Sequence, residues 1–191
     1  MFEEQLHRDV YEASIRDKLT GAFSRRYLEE QLRTEMAYAE RHDTEIALVL
    51  MDVDRFKEIN DTYGHVAGDA VLEQLGGVVE STIRTEDLFA RYGGDEFAVL
   101  LRDVSGDTMR TIGERIRSRV ASHRFETDHA VIDMTVSVGV AAYEPLLMRD
   151  IDDLLEATDR SLYEAKEAGR NQLRVRENPL NQLDSATDTI Q

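Results

Sequence analysis

Apolar positions along the chain alternate between helical and strand-like spacing. Phe2, Leu6, Val10 and Ala13 recur at helical intervals in an otherwise polar segment, which predicts a helix over residues 1–16 with one narrow apolar stripe. Such a stripe either pairs with a second helix or lies back on its own domain. LTGAFS (19–24) reads as a turn, with Ser24 as N-cap of a helix that lines up Leu28, Leu32, Met36 and Ala39. Ile46 to Met51 is a continuous apolar run, the signature of a strand buried on both faces, and it stops abruptly at Asp52-Val-Asp54. KEINDTYGHVAG (57–68) reads as a short polar segment leading to a helix with Val71, Leu75, Val78 and Val79 on its apolar side. Leu88–Tyr92 and Phe97–Leu101 are strand-like runs separated by Gly-Gly-Asp-Glu, a hairpin signal. A helix with Met109, Ile112, Ile116 and Val120 follows. Ile132, Met134, Val136, Val138 and Val140 then alternate with Asp133, Thr135, Ser137 and Gly139, the clearest strand pattern in the chain. The last helix, about Ile151 to Ala168, turns Ile151, Leu154, Leu155 and Leu162 inward and stops at Gly169; QLRV (172–175) adds an edge strand.

Interleaved strands and helices with one tight hairpin predict an α/β (α+β) fold, a mixed sheet with flanking helices. The 191 residues and 41% apolar content suit one domain with a single core. We expect a stalk helix over 1–16, the domain over 17–176, and a polar, disordered tail over 177–191. No apolar run approaches the length of a membrane span, and the N-terminus lacks the basic and apolar regions of a signal peptide. The absence of cysteine fits a reducing, cytoplasmic setting. A net charge of −16 argues against partners that present a dense row of phosphates, nucleic acid and anionic membranes alike. It says nothing against a free nucleotide, because a few local cations and a bound metal can outweigh the global field.

Two places invite chemistry. Asp52 ends a buried strand, where a carboxylate emerges at the open end of the sheet. The hairpin tip Gly93-Gly94-Asp95-Glu96 adds two acids beside two glycines, which let backbone approach a phosphate with no Cβ in the way. If the strands are neighbours, Asp52 and Asp95 come within metal-bridging distance, and oxygen ligands of this kind favour magnesium or manganese shared with substrate phosphates. Each feature also has a plain structural reading. Asp52 can cap a turn, Gly-Gly can simply make the hairpin, and Asp-Glu can be solvated charge. Asp69 sits where an N-cap belongs, and Lys166 and Arg170 can complement a helix dipole.

Taken together, RYGGDEF (91–97), DVDRFKEINDTYGHVAGD (52–69), DKLTGAFSRRYL (17–28) and YEAKEAGRNQL (163–173) resemble the GGDEF-domain diguanylate cyclases in order and spacing over most of the chain. The resemblance implies a βαββαβ core like that of polymerase palms and class III nucleotidyl cyclases. It implies that Asp52, Asp95 and the carbonyl of Val53 hold Mg2+ or Mn2+. Glu96 then either activates the attacking hydroxyl or helps hold a second ion. Asn60 and Asp69 fall on guanine-binding positions, and an Asp can accept from the N1 and N2 donors that adenine lacks. Phe56, Lys57, Lys166 and Arg170 fall on triphosphate-binding positions. The implied reaction joins two GTP into cyclic di-GMP within a two-fold homodimer. Arg84 and Asp87 match an RxxD product-inhibition motif, with Arg115 as a further member; R-x-x-D by itself is usually a surface ion pair. One departure is LTGAFSRRY, with Ala22 and Ser24 where the family often has other residues. The rival readings are a non-catalytic receptor for cyclic di-GMP or GTP, a purely structural partner-binding domain, and a cyclase for another nucleotide pair. The intact acids and glycines argue against the first, and the joint presence of Asn60, Asp69, Lys166 and Arg170 argues against the second. Asp69 argues against the third.

Overall fold

The computed structural model describes residues 11 and 14–176, so the expected stalk helix falls largely, and the expected tail wholly, outside the described residues. The helices are α1 (Arg25–His42), α2 (Phe56–Tyr63), α3 (His65–Glu80), α4 (Gly106–Ser122) and α5 (Ile151–Glu167). The strands are β1 (Phe23–Ser24), β2 (Ile46–Val53), β3 (Leu88–Arg91), β4 (Glu96–Arg102), β5 (Phe125–Glu126), β6 (Val131–Ile132), β7 (Val136–Ala142) and β8 (Leu173–Arg176). Six strands form one mixed sheet in the order β1-β3-β4-β2-β7-β8, and β5 and β6 form a small separate hairpin. β2 lies between β4 and β7, antiparallel to both, while β8 joins β7 in parallel at the edge. From β2 to β7 the main elements follow the expected βαββαβ order.

The sheet is covered on both faces, and the parity of β2 shows how. Ala47, Val49, Met51 and Val53 pack with Val71, Leu75 and Val79 of α3 and with Met109, Ile112, Ile116 and Val120 of α4. Leu48 and Leu50 face the other way, onto Leu28, Leu32 and Met36 of α1 and Leu154 and Leu162 of α5. Leu28, Leu32, Leu48, Leu75 and Leu154 have no exposed surface, and burying each contributes about 1.5–3 kcal/mol. Ser24 caps α1 as the sequence suggests, accepting from the Tyr27 N–H at 3.4 Å. Among the described residues, no helix is long and apolar enough to cross a membrane.

Three expectations are corrected. Most of the polar segment 57–68 is helical: it forms α2 and the start of α3, broken at Gly64, whose φ of +85° no other residue adopts without strain. The alternation over 132–140 does not mark one continuous strand, since β7 begins only at Val136. Ser137 is fully buried, and Gly139 lies so close to α5 that a Cβ there would meet Leu162 N at 2.3 Å. The small positions of this strand are where a helix presses down. Residues 131–132 turn away to pair with 125–126 instead. Finally, Asp69 is not an N-cap: α3 begins at His65, and Asp69 is an exposed position in its first turns.

Candidate active site

β2 and β4 place their acids in register. The Cα partner of Asp52 is Glu96 on one side and Ser137 on the other. Directly opposed residues in an antiparallel pair share a face, here the face of α1 and α5. Asp95 is tied to the same strand end, its carbonyl accepting from the Val53 N–H at 3.1 Å. Across from the acids, Lys166 in the last turn of α5 brings Nζ to 2.8 Å from Asp52 Oδ2. Burial pushes the Asp52 carboxyl above its ordinary pKa; Lys166 opposes that shift, and the charges of Asp95 and Glu96 add to it.

Because the folded pKa of Asp52 lies above the unfolded one, the folded state holds that proton more tightly. Stability is therefore lost as pH rises through the interval between the two values, and at neutral pH the ionised carboxylate is a cost. Asp52→Asn, a mimic of the neutral acid, is expected to be at least as resistant to urea as wild type at pH 7 in the presence of a chelator. Its advantage should shrink on acidification toward pH 3. A variant that is weaker than wild type throughout that range would show Asp52 to be a stabilising partner of Lys166 instead.

The hairpin glycines have separate uses. A Cβ on Gly93 would stand 2.6 Å from Glu96 Oε2, so Gly93 leaves room for the Glu96 side chain rather than for a ligand. Gly94 is exposed with open space around it, as an approaching phosphate requires. The turn is held by Arg91, which sequence reasoning did not single out. Its Nη1 donates to Asp17 at 3.1 and 3.2 Å, its Nη2 to Gly94 O at 2.7 Å, and its Nε to Gly93 O at 3.2 Å. Asp17 also accepts from the N–H and hydroxyl of Thr20. Burial alone would raise the Asp17 pKa, but the Thr20 and Arg91 contacts outweigh it and hold the carboxyl below its usual range.

The positions assigned to guanine meet where two helices join. Asn60 on α2 leans over Gly68 on α3, next to Asp69; a Cβ on Gly68 would lie 1.9 Å from Asn60 Oδ1 and 3.3 Å from Phe56 Cζ. Gly68 was missed by sequence reasoning, although it lies in the 52–69 block. Gly68→Ala is expected to displace the Asn60 side chain and raise the KM for nucleotide about tenfold, the size of one lost hydrogen bond to a buried partner, with a smaller change in kcat. Steady-state kinetics decides this, and an unchanged KM would remove Asn60 from the binding site. Phe56 and Lys57 open α2, whose N-cap Arg55 supplies no side-chain bond to the first N–H groups of that helix. Lys57 and Arg170 are both exposed.

The RxxD positions have a structural occupation. Asp87 is buried, and its carboxylate accepts from the Arg84 N–H at 3.0 Å and the Arg102 N–H at 3.3 Å. The Arg84 guanidinium pairs not with Asp87 but with Glu86, at 3.8 Å. Arg115 lies on the exposed side of α4.

The donor set suits a hard divalent ion in one particular way. Among the described residues, no group of three or more His, Cys, Asp or Glu side chains stands close enough to hold a metal on its own. Asp52 with Glu96 or Asp95, plus the Val53 carbonyl, fits the mode in which one or two carboxylates bind magnesium and substrate phosphates complete the shell.

Comparison with known proteins finds matches over most of the chain. A family model described as "Diguanylate cyclase, GGDEF domain" matches residues 14–172. Diguanylate cyclase A of Treponema denticola is 39% identical over 153 residues, 80% of this chain and 41% of that protein. Diguanylate cyclase DgcP of Pseudomonas aeruginosa is 37% identical over 167 residues, 87% of this chain and 25% of that protein. The chain thus spans less than half the length of these curated relatives. Among solved structures, the coiled coil and GGDEF domain of DgcB from Caulobacter crescentus, in complex with c-di-GMP, superposes with a TM-score of 0.84 at 31% identity, covering 92% of both chains. Diguanylate cyclase SiaD from Pseudomonas aeruginosa, in complex with its activator SiaC, also gives 0.84, at 35% identity, covering 92% of this chain and 66% of that one.

Proposed function

The chain belongs to the GGDEF domain family of diguanylate cyclases, and on that premise we propose that it condenses two GTP molecules into cyclic di-GMP with release of two pyrophosphates. The observation that carries this reading is the register of Asp52 opposite Glu96 at the open end of the sheet, with Lys166 reaching the same point. In each half-reaction the 3′-oxygen of one GTP bonds to the α-phosphorus of the other. The bond from that phosphorus to the bridging oxygen breaks, and the hydroxyl proton leaves to a base. Two such bonds close the ring.

The chain's own residues divide this work. Magnesium or manganese bound by Asp52, Asp95 or Glu96 and the Val53 carbonyl would polarise the α-phosphate and acidify the 3′-hydroxyl. Glu96 accepts the proton or helps hold a second ion; both assignments need its carboxylate. Lys166, Arg170, Lys57 and the uncapped N–H groups at Phe56 and Lys57 offset charge on the β- and γ-phosphates and stabilise the departing pyrophosphate. Asn60 and Asp69 hold guanine, with Asp69 accepting from N1 and N2. The exposure of Asp69 supports this role, since its carboxylate is not committed to capping the helix. Each domain has one site and two nucleotides must meet, so the active species is a two-fold dimer. GTP as substrate supports a cytoplasmic location. Product inhibition falls on Arg84 and Arg115, with Asp87 shaping the loop that presents Arg84; the c-di-GMP complexes among the structural neighbours support a product site of some kind.

The test is incubation with GTP and magnesium, followed by separation and mass spectrometry of the nucleotides. Cyclic di-GMP and pyrophosphate in a 1:2 ratio are expected, with a rate that rises more than linearly with protein concentration where dimers are scarce. Binding of cyclic di-GMP without turnover, even in a chain dimerised through a fused coiled coil, would leave a receptor in place of an enzyme.

A further inference from the structure

Two residues beyond Asp52 stands a carboxylate to which the mechanism gives no task. Asp54 is buried, and its side chain accepts three hydrogen bonds: Thr135 Oγ1 to Oδ2 at 2.6 Å, Ser137 Oγ to Oδ1 at 2.6 Å, and the Asn171 N–H to Oδ2 at 2.9 Å. Its own N–H donates to Thr135 O at 2.9 Å. Asp54 therefore ties the end of β2 to β7 and to the turn between α5 and β8.

That turn does not hold its own shape. Gly169, Arg170 and Asn171 have φ of +112°, +64° and +45°, three consecutive residues in the left-handed region, two of them with a Cβ that disfavours it. A conformation of this kind persists only where its surroundings fix it. Contacts from α5, β7, α4 and Asp54 do so here. Gly169 and Arg170 N–H close back on the α5 carbonyls of Lys166 and Ala165, and the Val138 N–H donates to Gln172 O at 2.9 Å. Arg117 on α4, itself braced by Glu114, donates from Nη1 to Asn171 Oδ1 at 2.6 Å. The contacts to Asp54 and from Arg117 are the charged ones, and hydrogen bonds to an ionised partner are about twice as strong as neutral ones. Of the two, only Asp54 is a buried residue and holds the backbone of the turn through the Asn171 N–H. The turn it fixes carries Arg170 and follows directly on the helical turn that carries Lys166.

We propose that Asp54 is a positioning residue for triphosphate binding: by holding the Asn171 N–H it fixes the left-handed turn that aims Arg170 toward the nucleotide. This rests on the assignment of Arg170 to the phosphates made above. Asp54 touches no reacting atom; it sets where a cation stands, and a cation displaced by 1 Å loses much of its effect on a bound phosphate.

The experiment compares wild type, Asp54→Asn, Asp54→Ala, Arg170→Ala and the double variant Asp54→Ala/Arg170→Ala. Binding of GTP and of GMP, each with magnesium, is measured by calorimetry, and folding is checked by circular dichroism melts. Asp54→Ala is expected to weaken GTP about tenfold and GMP less than twofold. Asp54→Asn keeps an acceptor for the Asn171 N–H and should fall between. In the Arg170→Ala background the same Asp54→Ala change should add less than about twofold. Equal losses for GTP and GMP, or a double variant whose loss is the product of the two single ones, would overturn the proposal and leave Asp54 a general stabiliser. If Asp54→Ala does not fold, Thr135→Val removes one supporting hydroxyl and keeps the carboxylate. It should show a smaller loss with the same preference for GTP, and a loss without that preference would overturn the proposal equally. A wild type that discriminates GTP from GMP yet makes no cyclic di-GMP would sink the cyclase reading while leaving the role of Asp54 intact.

Discussion

Glu96→Ala is expected to lower the rate of cyclic di-GMP formation by about three orders of magnitude, the range found when a positioned proton acceptor or a transition-state charge partner is removed. The fold has little stake in the side chain. Glu96 holds the hairpin through its carbonyl, which accepts from Tyr92 and Gly93 N–H at 2.8 and 3.0 Å, and alanine keeps that carbonyl. The melting temperature should therefore change by no more than a few degrees, and the KM for GTP by less than tenfold, since guanine and the terminal phosphates meet other residues. Glu96→Gln should be as inactive as alanine, because both proposed roles need the charge. A second consequence follows from Gly93. Its missing Cβ makes room for Glu96 Oε2, so Gly93→Ala should be damaging in the wild-type background and add little once Glu96 is alanine. Activity within tenfold of wild type in Glu96→Ala, by initial-rate assay under saturating GTP and magnesium, would move the reactive centre away from this strand.

Where the apolar pattern was regular the fold was legible. The helices lined by Leu28, Leu32, Met36 and Ala39 and by Met109, Ile112, Ile116 and Val120 are where the spacing puts them, with every one of those residues buried. β2 is legible for the opposite reason: buried on both faces, it shows an unbroken apolar run. α2 was not, because it buries only Ile59, so no stripe marks it; it is held at its ends by Phe56 and by the break at Gly64. The alternation in β7 was visible but its cause was not. Period two arises from a wet face or from a close-packed neighbour, and the residue types Ser137 and Gly139 fit both.

The site follows the same logic. The acids could be singled out because a carboxylate after a buried strand needs a reason, and the motif then supplied their partners. The supporting residues could not be ranked in that way. Asp54 and Arg91 owe their roles to partners 81 and 74 positions away in sequence, Thr135 and Asp17. Nothing local separates them from ordinary surface charge. Asp87 reverses the case: the motif suggested a ligand contact, and the fold uses its carboxylate to pin two backbone N–H groups.

Gly139→Ala tests the packing that brings Lys166 to Asp52. A Cβ at this position would lie 2.3 Å from Leu162 N, 2.6 Å from Thr158 O and 2.7 Å from Leu162 Cα, all main-chain or Cα atoms of α5. No rotamer change relieves such a contact, so the helix must move as a body or the strand must bend. Overpacking of a close-packed interior costs about 1–3 kcal/mol and sometimes more. A main-chain clash on a central strand belongs at the upper end, and about 3 kcal/mol lowers the melting temperature by roughly 6–12 °C for a domain of this size. Gly77→Ala is the control. Gly77 is exposed on α3 with nothing within 4 Å of its would-be Cβ, and alanine there should stabilise by about 0.4–1 kcal/mol through the unfolded chain. Denaturant unfolding of the two variants should thus move in opposite directions. Because α5 carries Lys166 at its far end, Gly139→Ala should also weaken the Lys166–Asp52 pair and reduce turnover in the surviving folded protein. Retained stability in Gly139→Ala would mean that α5 can slide on β7, and a helix free to slide could not by itself fix the distance between Lys166 and the acids.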